Sequence, residues 1–303
     1  MSEVLKFLKR FIPPSSNTVN SRLDYIEQLI GRIDYAGNPI PVNHAINAEA
    51  LYYSCWSNLI RDTHKESFGP FKGANKGCEV VIVGTGPTLN YYNPIEKVVH
   101  IGINSSYKKE NLKLDYLFLQ DFAAGRIYDV EEIRSLTCIK FFGKHCSKPN
   151  FYTMADIPEH VIEEMEARKY FVNHIYGPAG NTPIMVDLEY FPVMDCWTTA
   201  FSALEFAFYT HPQTIYFVGL DTSVKLGGHY DDSSILVKAQ AQRFAESVKG
   251  YKKVKQFADS NYPDIKIVSV NPVGLKGIFE DIYTESFLDA YPEIRKELAI
   301  LNQ

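Results

Sequence analysis

The chain has 303 residues, of which 46% are hydrophobic and 22% are charged. This composition excludes a disordered, collagen-like or low-complexity protein, and the length predicts one large α/β domain with a modest appendage. The net charge of −5 comes from 31 basic and 36 acidic residues. It disfavours non-specific binding of nucleic acid, which needs a basic surface.

The five cysteines are odd in number and form no CxxC pair, which is typical of reduced thiols in a cytoplasmic protein. No apolar run reaches the roughly 18–20 residues of a membrane-spanning helix, and we expect no signal peptide. Residues 1–12 combine apolar residues at helical spacing with three cations. We therefore expect a cytoplasmic protein whose first twelve residues either dock on the protein itself or contact the inner face of a membrane.

Residues 1–75 carry two helical patterns and end in a connector rich in glycine and lysine, which predicts a helical N-terminal extension. From residue 76 to residue 303, short apolar runs alternate with helical patterns. This alternation predicts a Rossmann-like, doubly wound, mostly parallel α/β sheet with helices on both faces. The predicted strands are residues 79–83, 98–103, 115–119, 137–142, 171–176, 214–220 and 265–270.

Two helices and one irregular segment complete the predicted domain. Residues 197–209 are apolar nearly all round, as in a buried crossover helix, and residues 236–258 have the amphipathic spacing of a helix packed on the outside of a sheet. Residues 122–195 are less regular and rich in tyrosine and proline. We interpret this segment as a lid or acceptor-binding insertion, although its aromatic residues would equally suit ordinary packing.

The strongest local pattern is VVIVGTGPTLN, in which a buried strand runs into a glycine turn. The glycines allow close backbone approach, and the proline suits the first turn of a helix. Such a turn predicts a cradle for a nucleotide phosphate or ribose. It is not a P-loop, because no GK[ST] follows, and the third glycine of the dinucleotide motif is absent. The residues of the predicted cradle are Gly84, Thr85, Gly86, Pro87 and Thr88.

Polar residues follow the next two predicted strands, where ligands of open parallel sheets bind. Asn104 follows the second strand and Asp121 the third. Asn104 could bind a base or a sugar, or it could cap the helix that follows. Thr198 and Thr199 lie at the start of the buried helix, where either could cap it.

The segment IYFVGLDTSVKLGGHY places Gly219, Asp221, His229 and Tyr230 in one loop after a buried strand. His229 could take a proton from an attacking hydroxyl, or it could be a solvated loop histidine. Lys276, in the turn after the last strand, is a candidate phosphate contact or an ordinary surface lysine. Metal-ligand spacings such as HxxxH and HExxH are absent, so we expect no metal site.

In motif order, GTGPTL, INSSY, LQD, the helix from Trp197, GLD and GGHY resemble the bacterial sialyltransferases of glycosyltransferase family 42 and the related motility-associated glycosyltransferases. The resemblance spans residues 79–279. It implies His229 as the catalytic base of an inverting, metal-independent transfer. The nucleotide-binding residues that it implies, together with the cradle, are Asn104, Asp121, Thr198, Thr199, Gly219, Asp221 and Tyr230.

The resemblance also implies the reactants. The donor would be sialic acid or a similar keto-sugar linked to CMP, and no other cofactor would be needed. The acceptor would be a glycan or glycolipid of the bacterial cell surface, in polysaccharide or lipopolysaccharide biosynthesis. A homo-oligomer is compatible with this expectation.

Two alternatives remain open from the sequence. The same glycine and aspartate motifs resemble archaeal-type pterin pyrophosphokinases, which transfer pyrophosphate from ATP and need a divalent cation held by carboxylates. Here only Asp221, Asp231 and Asp232 could supply these carboxylates. The other alternative is an inactive protein that binds a nucleotide or a glycan.

Overall fold

The structure is a computed structural model that describes residues 60–120, 129–145, 157–173, 187–190, 192–226 and 238–301. The chain divides into two compact units, Met1–Arg61 and Asp62–Gln303. The first unit lies almost wholly outside the described residues, so the predicted helical extension stays a prediction. Within the described ranges, no helix is long and apolar enough to cross a membrane.

The second unit is built on one parallel sheet, to which the described residues contribute nine strands in the order β6-β5-β4-β3-β2-β1-β7-β8-β9. Every neighbouring pair in this order is parallel. The strands are β1 (Glu79–Val83), β2 (Val99–Ile103), β3 (Tyr116–Leu119), β4 (Ile139–His145), β5 (Arg168–Asn173), β6 (Val193–Met194), β7 (Thr214–Val218), β8 (Lys266–Val270) and β9 (Glu280–Ile282).

Helices connect the strands. Residues 60–68 are α-helical. The helices that follow are α1 (Val130–Ser135), α2 (Glu159–Glu164), α3 (Ala200–Thr210), α4 (Lys238–Asn261), α5 (Glu285–Ala290) and α6 (Pro292–Leu301). Three short 3-10 helices lie at Gly69–Phe71, Pro87–Tyr91 and Asn104–Lys108.

The predicted Rossmann-like, doubly wound sheet is confirmed, and each of the seven predicted strands overlaps an observed one. β1 has the predicted bounds, whereas β5 lies three residues earlier than predicted. The strands β6 and β9 were not predicted. They have two and three residues, which is too short to show an alternating or continuous apolar pattern.

Apolar side chains cover both faces of the sheet. In β1, Val80 and Ile82 pack in one cluster with residues of α3 and α4, whereas Val81 and Val83 pack in a second cluster. Successive side chains of a strand point to opposite faces, so a strand that is apolar throughout is covered on both sides. This is the physical basis of the continuous apolar runs in the sequence.

The helix α3 is the crossover that returns the chain from β6, at one end of the sheet, to β7 beside β1. All eleven of its residues are buried, as its apolar sequence predicts. The helix α4 buries Tyr251, Val254 and Ala258 against the same cluster, and its other face is exposed. Both helices therefore confirm their predicted roles.

The core also includes residues from the predicted extension. Phe68 stacks on Phe141 with 5.2 Å between ring centroids, and Phe71 meets Phe206 at 5.6 Å. The second compact unit accordingly begins at Asp62, earlier than the predicted start at residue 76.

Much of the predicted insertion at residues 122–195 belongs to the sheet. The strands β4, β5 and β6 lie within it and pair in parallel with one another. A lid or acceptor-binding role for this segment stays a prediction, and residues 121–128, 146–156, 174–186 and 191 lie outside the described residues.

Candidate functional site

The strand order reverses between β1 and β7. The strands β2 to β6 extend from β1 towards one end of the sheet, and β7 to β9 extend towards the other. At such a switch point the loops after two neighbouring strands leave in opposite directions, which opens a crevice where doubly wound proteins bind ligands. Here the two loops are the predicted glycine cradle after β1 and the Gly219–Asp221 segment after β7.

The glycines of these two loops allow the backbones to touch. The N–H of Gly84 donates to the carbonyl of Val218, and the N–H of Gly86 donates to the carbonyl of Gly219, both at 2.7 Å. A Cβ atom on Gly84 would lie 2.3 Å from the carbonyl oxygen of Gly219. Gly219 itself has a φ of 65°, which favours glycine. The glycine motif thus serves the contact between the two loops.

Asp221 holds the glycine loop through Thr88. One carboxyl oxygen of Asp221 accepts from the Thr88 N–H at 2.9 Å, and the other accepts from the Thr88 hydroxyl. A Cβ atom on Gly86 would lie 2.4 Å from the nearer of these oxygens. Asp221 therefore acts in this structure as a clamp between the loops after β1 and β7.

The carboxyl of Asp221 is buried, with 5% of the residue exposed. Burial raises its pKa from an ordinary value near 3.8 to about 6, and the two hydrogen bonds from Thr88 limit the rise. Near neutral pH the clamp is therefore close to its titration point. Its protonated form is the one that burial favours.

These contacts use most backbone donors of the predicted phosphate cradle. The N–H groups of Gly84, Gly86 and Thr88 donate within the protein, and Pro87 has none. The segment after Gly86 is a 3-10 helix of five residues rather than a longer α-helix. Within the part of the chain that the structure describes, the N–H of Thr85 is the one cradle amide without an acceptor. The cradle thus offers close backbone approach and the Thr85 N–H rather than a ring of amides.

The loop after β2 lies beside the crevice, because β2 pairs with β1 up to Gly102. Asn104 has a φ of 49° and begins a 3-10 helix without capping it, so the capping alternative is not observed. Instead, the hydroxyl of Thr199 donates to the Asn104 side-chain oxygen at 3.3 Å. Two predicted nucleotide-binding residues, 95 positions apart, are therefore in contact.

Of the two threonines predicted as possible caps of α3, Thr198 bonds the start of the helix and Thr199 does not. Thr199 occupies the N-cap position but makes no side-chain cap hydrogen bond. The Thr198 hydroxyl accepts from the N–H of Ala200 at 3.3 Å. A second buried link from α3 to a strand end was missed by sequence reasoning: the Gln120 side chain donates to the Ser202 hydroxyl at 2.9 Å. No sequence pattern connects these two residues.

Several strands are followed, at the edge of the sheet where they end, by non-glycine residues with a positive φ, which is a strained backbone conformation. Among the non-glycine residues with positive φ, Thr222 after β7 is the least expected, because it is β-branched. Its buried hydroxyl finds no hydrogen-bond partner within the described ranges. The N–H of Gly274 donates to the carbonyl of Asp221 at 2.8 Å, so the turn after β8 supports the strained segment. Other residues with positive φ at this edge are Asn104, Cys196, Trp197 and Asn271.

Lys276 does not face a ligand in this structure. Its ammonium pairs with Glu297 of α6 at 2.8 Å, and both side chains are exposed. This geometry fits the alternative of a surface lysine.

Three predicted site residues, Asp121, His229 and Tyr230, lie outside the described residues. Their roles stay predictions. Among the residues that are described, no group of three or more His, Cys, Asp or Glu side chains could hold a metal ion.

No family model and no curated protein matches this chain. Among solved structures, it is similar to a MAf glycosyltransferase from Magnetospirillum magneticum AMB-1, with 11% identity and a TM-score of 0.41, over 88% of this chain and 47% of that one. This chain thus spans about half the length of that protein. It is also similar to the sialyltransferase CstII from Campylobacter jejuni, solved with CMP-3FNeuAc, with 14% identity and a TM-score of 0.31, over 63% of this chain and 80% of that one.

Proposed function

We propose that the chain is a glycosyltransferase that binds a nucleotide-activated sugar at the switch point between β1 and β7. The observation that carries the proposal is the convergence of the sequence motifs. Thr88 and Asp221 are 133 residues apart, yet they join the two loops of the crevice. The contact between Asn104 and Thr199 lies beside them, at the end of the neighbouring strand.

The donor in this proposal is a CMP-linked sugar, with sialic acid or a similar keto-sugar as the first choice. It follows from the resemblance of the motifs GTGPTL and GLD to sialyltransferases of family 42. The acceptor is a cell-surface glycan. The clamp between Asp221 and Thr88 supports the proposal, because it holds the loop in a defined position before a ligand arrives.

The proposed reaction inverts the anomeric carbon and needs no metal. An acceptor hydroxyl attacks that carbon, its proton passes to the imidazole of His229, and the bond from carbon to the phosphate oxygen breaks. The electron pair of that bond leaves with CMP. Asp221 is not the base in this scheme, because both of its oxygens already accept hydrogen bonds from Thr88.

The test is a thermal-unfolding panel with CMP, CDP, UMP, UDP, GDP, ADP and ATP, each with and without magnesium. A ligand at about 100 times its Kd stabilises the folded protein by roughly 2.7 kcal/mol. We expect CMP or CDP to raise the Tm without magnesium. Stabilisation only by ATP with magnesium would indicate the pyrophosphokinase instead, and no stabilisation by any nucleotide would indicate an inactive protein.

The catalytic step is tested separately with His229→Ala. We expect this variant to bind CMP as the wild type does and to lose transfer from CMP-sialic acid by about 100-fold or more, since a general base contributes that much. The matched control is His160→Ala, which removes an exposed histidine of α2. Equal activity of the two variants would exclude His229 as the base.

A further inference from the structure

A cavity of about 540 Å³ opens at the other edge of the sheet, where the strands begin. Its walls come from segments that precede β1, β7 and β8, whereas the switch-point crevice follows β1 and β7. Since β1 has five residues, the two places are separated by roughly 16 Å of strand. One sugar unit cannot reach both. The lining residues are Lys72, Gly73, Lys76, Asp187, Phe208, Tyr209, His211 and Tyr262.

Aromatic rings form one part of the cavity wall. Phe208 and Tyr262 are stacked, with centroids 5.1 Å apart and planes at 23°. The ammonium of Lys72 lies 5.5 Å from the centroid of the Tyr209 ring. Aromatic surface with a few oriented polar groups is the usual composition of a small-molecule site. Phe208 and Tyr209 are buried, so the half-buried Tyr262 presents the ring surface that a sugar could contact.

The polar groups around the rings are held in pairs. Glu189 accepts from the Tyr209 hydroxyl at 2.7 Å and pairs with the Lys72 ammonium at 3.2 Å. His211 lies 3.2 Å from Asp264. The hydrogen bond from Tyr209, with the help of Lys72, outweighs the effect of burial and lowers the pKa of Glu189, which keeps it ionised. Hydrogen-bond donors and acceptors are therefore next to each other at the cavity, as in the group of Lys72, Tyr209 and Glu189.

The charges at the cavity are nearly balanced. The cations Lys72 and Lys76 stand against two carboxylates, Asp187 in the cavity wall and Glu189, which pairs with Lys72. Such a cavity has little net attraction for a phosphate or another anion. A neutral ligand with many hydroxyl groups can use both the donors and the acceptors, because each hydroxyl both donates and accepts.

We propose that this cavity binds a neutral sugar unit of a glycan. The inference goes beyond the proposed transfer reaction and does not depend on nucleotide binding. If the chain also transfers a sugar at the switch point, the cavity holds a different part of the glycan, on the opposite edge of the sheet.

The test is saturation-transfer difference NMR on the full chain with the methyl glycosides of glucose, galactose, mannose and N-acetylglucosamine at millimolar concentration. Methyl glucuronide serves as the charged comparison. We expect signal from at least one neutral glycoside and no displacement by CMP. Absence of signal from all neutral glycosides, a stronger signal from the glucuronide, or displacement by CMP would each overturn the proposal.

Substitutions in the cavity wall test whether the sugar binds there. Tyr262→Ala removes a stacked ring and should weaken binding by at least about fivefold, which corresponds to about 1 kcal/mol. The double variant Lys72→Ala/Lys76→Ala changes only exposed side chains, so it should fold even if Tyr262→Ala does not, and we expect a similar loss. The matched control is Tyr216→Phe, whose hydroxyl bonds Glu79 at 3.0 Å outside the cavity. Equal binding in all variants would place the sugar elsewhere and refute the inference.

Discussion

The two edges of the sheet hold their polar side chains in different ways. Where the strands end, the buried residues Asp221 and Thr88 form one hydrogen-bonded pair, and the buried residues Asn104 and Thr199 form another. Where the strands begin, the ion pairs around the cavity are partly exposed, with 61% of the Lys72 side chain open to solvent. Buried polar contacts are costly to break, whereas exposed ion pairs contribute little. We therefore expect the first edge to be rigid and the second to adapt to its ligand.

The largest effect is expected where the two loops of the crevice touch. Gly84→Ala places a Cβ atom 2.3 Å from the Gly219 carbonyl, and both sides of this contact are backbone. We expect the free energy of unfolding, measured with urea, to fall by about 3 kcal/mol or more. Gly69→Ala is the control, because its Cβ would be 3.9 Å from the nearest atom, Lys65 Cγ. A loss below about 1 kcal/mol in Gly84→Ala would show that the edge is not rigid.

The second prediction concerns pH. The folded-state pKa of Asp221 is raised to about 6, so the folded chain binds this proton more tightly than the unfolded chain does. The stability that this proton on Asp221 contributes is therefore complete at low pH and is lost as the pH rises towards and through 6. Asp221→Asn removes this titration, and its amide can still pair with the Thr88 hydroxyl, which can accept as well as donate.

We expect the stability of the wild type relative to Asp221→Asn to fall by about 2–3 kcal/mol between about pH 4 and pH 7. The measurement is urea unfolding across this range. The control is Asp259→Asn, an exposed carboxylate of α4 paired with Lys255. The same pH dependence in both variants would contradict a specific role of the buried clamp.

The third prediction distinguishes residues that only stabilise the fold from residues that also bind the nucleotide, at the edge where the strands end. Thr199→Val removes the hydrogen bond to Asn104, and we expect a loss of about 1 kcal/mol in stability together with about fivefold weaker CMP binding. Ser202→Ala removes the comparable buried link to Gln120 and should reduce stability only. Both quantities follow from thermal unfolding and calorimetric titration. Unchanged CMP affinity in Thr199→Val would remove Asn104 from the proposed nucleotide site.

The smallest effect is expected at the second edge. Lys72→Ala breaks the exposed pair with Glu189, and the free energy of unfolding should change by no more than about 0.5 kcal/mol. Urea unfolding at low and high salt measures it. A loss of unfolding free energy above about 1 kcal/mol would mean that this exposed ion pair stabilises the protein as much as a buried hydrogen bond at the other edge does.

Local sequence patterns predict the strands around the switch point and the residues that follow them. Continuous apolar runs predict β1, β7 and β8. Both faces of these strands are buried, so nearly every position in them carries an apolar side chain. The glycines of the loop after β1 were recognisable because close backbone approach demands glycine. The positions of Asn104 and Asp221 at strand ends followed from the same periodicity.

The contacts that these residues make depend on the folded sheet and not on the local sequence. Asp221 was predicted to bind a ligand, and this role stays a prediction. In the structure its two oxygens accept hydrogen bonds from Thr88, and most amides of the predicted cradle bond within the protein. Likewise, Thr199 contacts Asn104 and does not cap α3, whose first N–H bonds Thr198 instead. Such partners depend on the order of strands in the sheet, which brings together residues that are about a hundred positions apart. Local patterns report burial and backbone preference, and neither of these specifies a partner across the sheet.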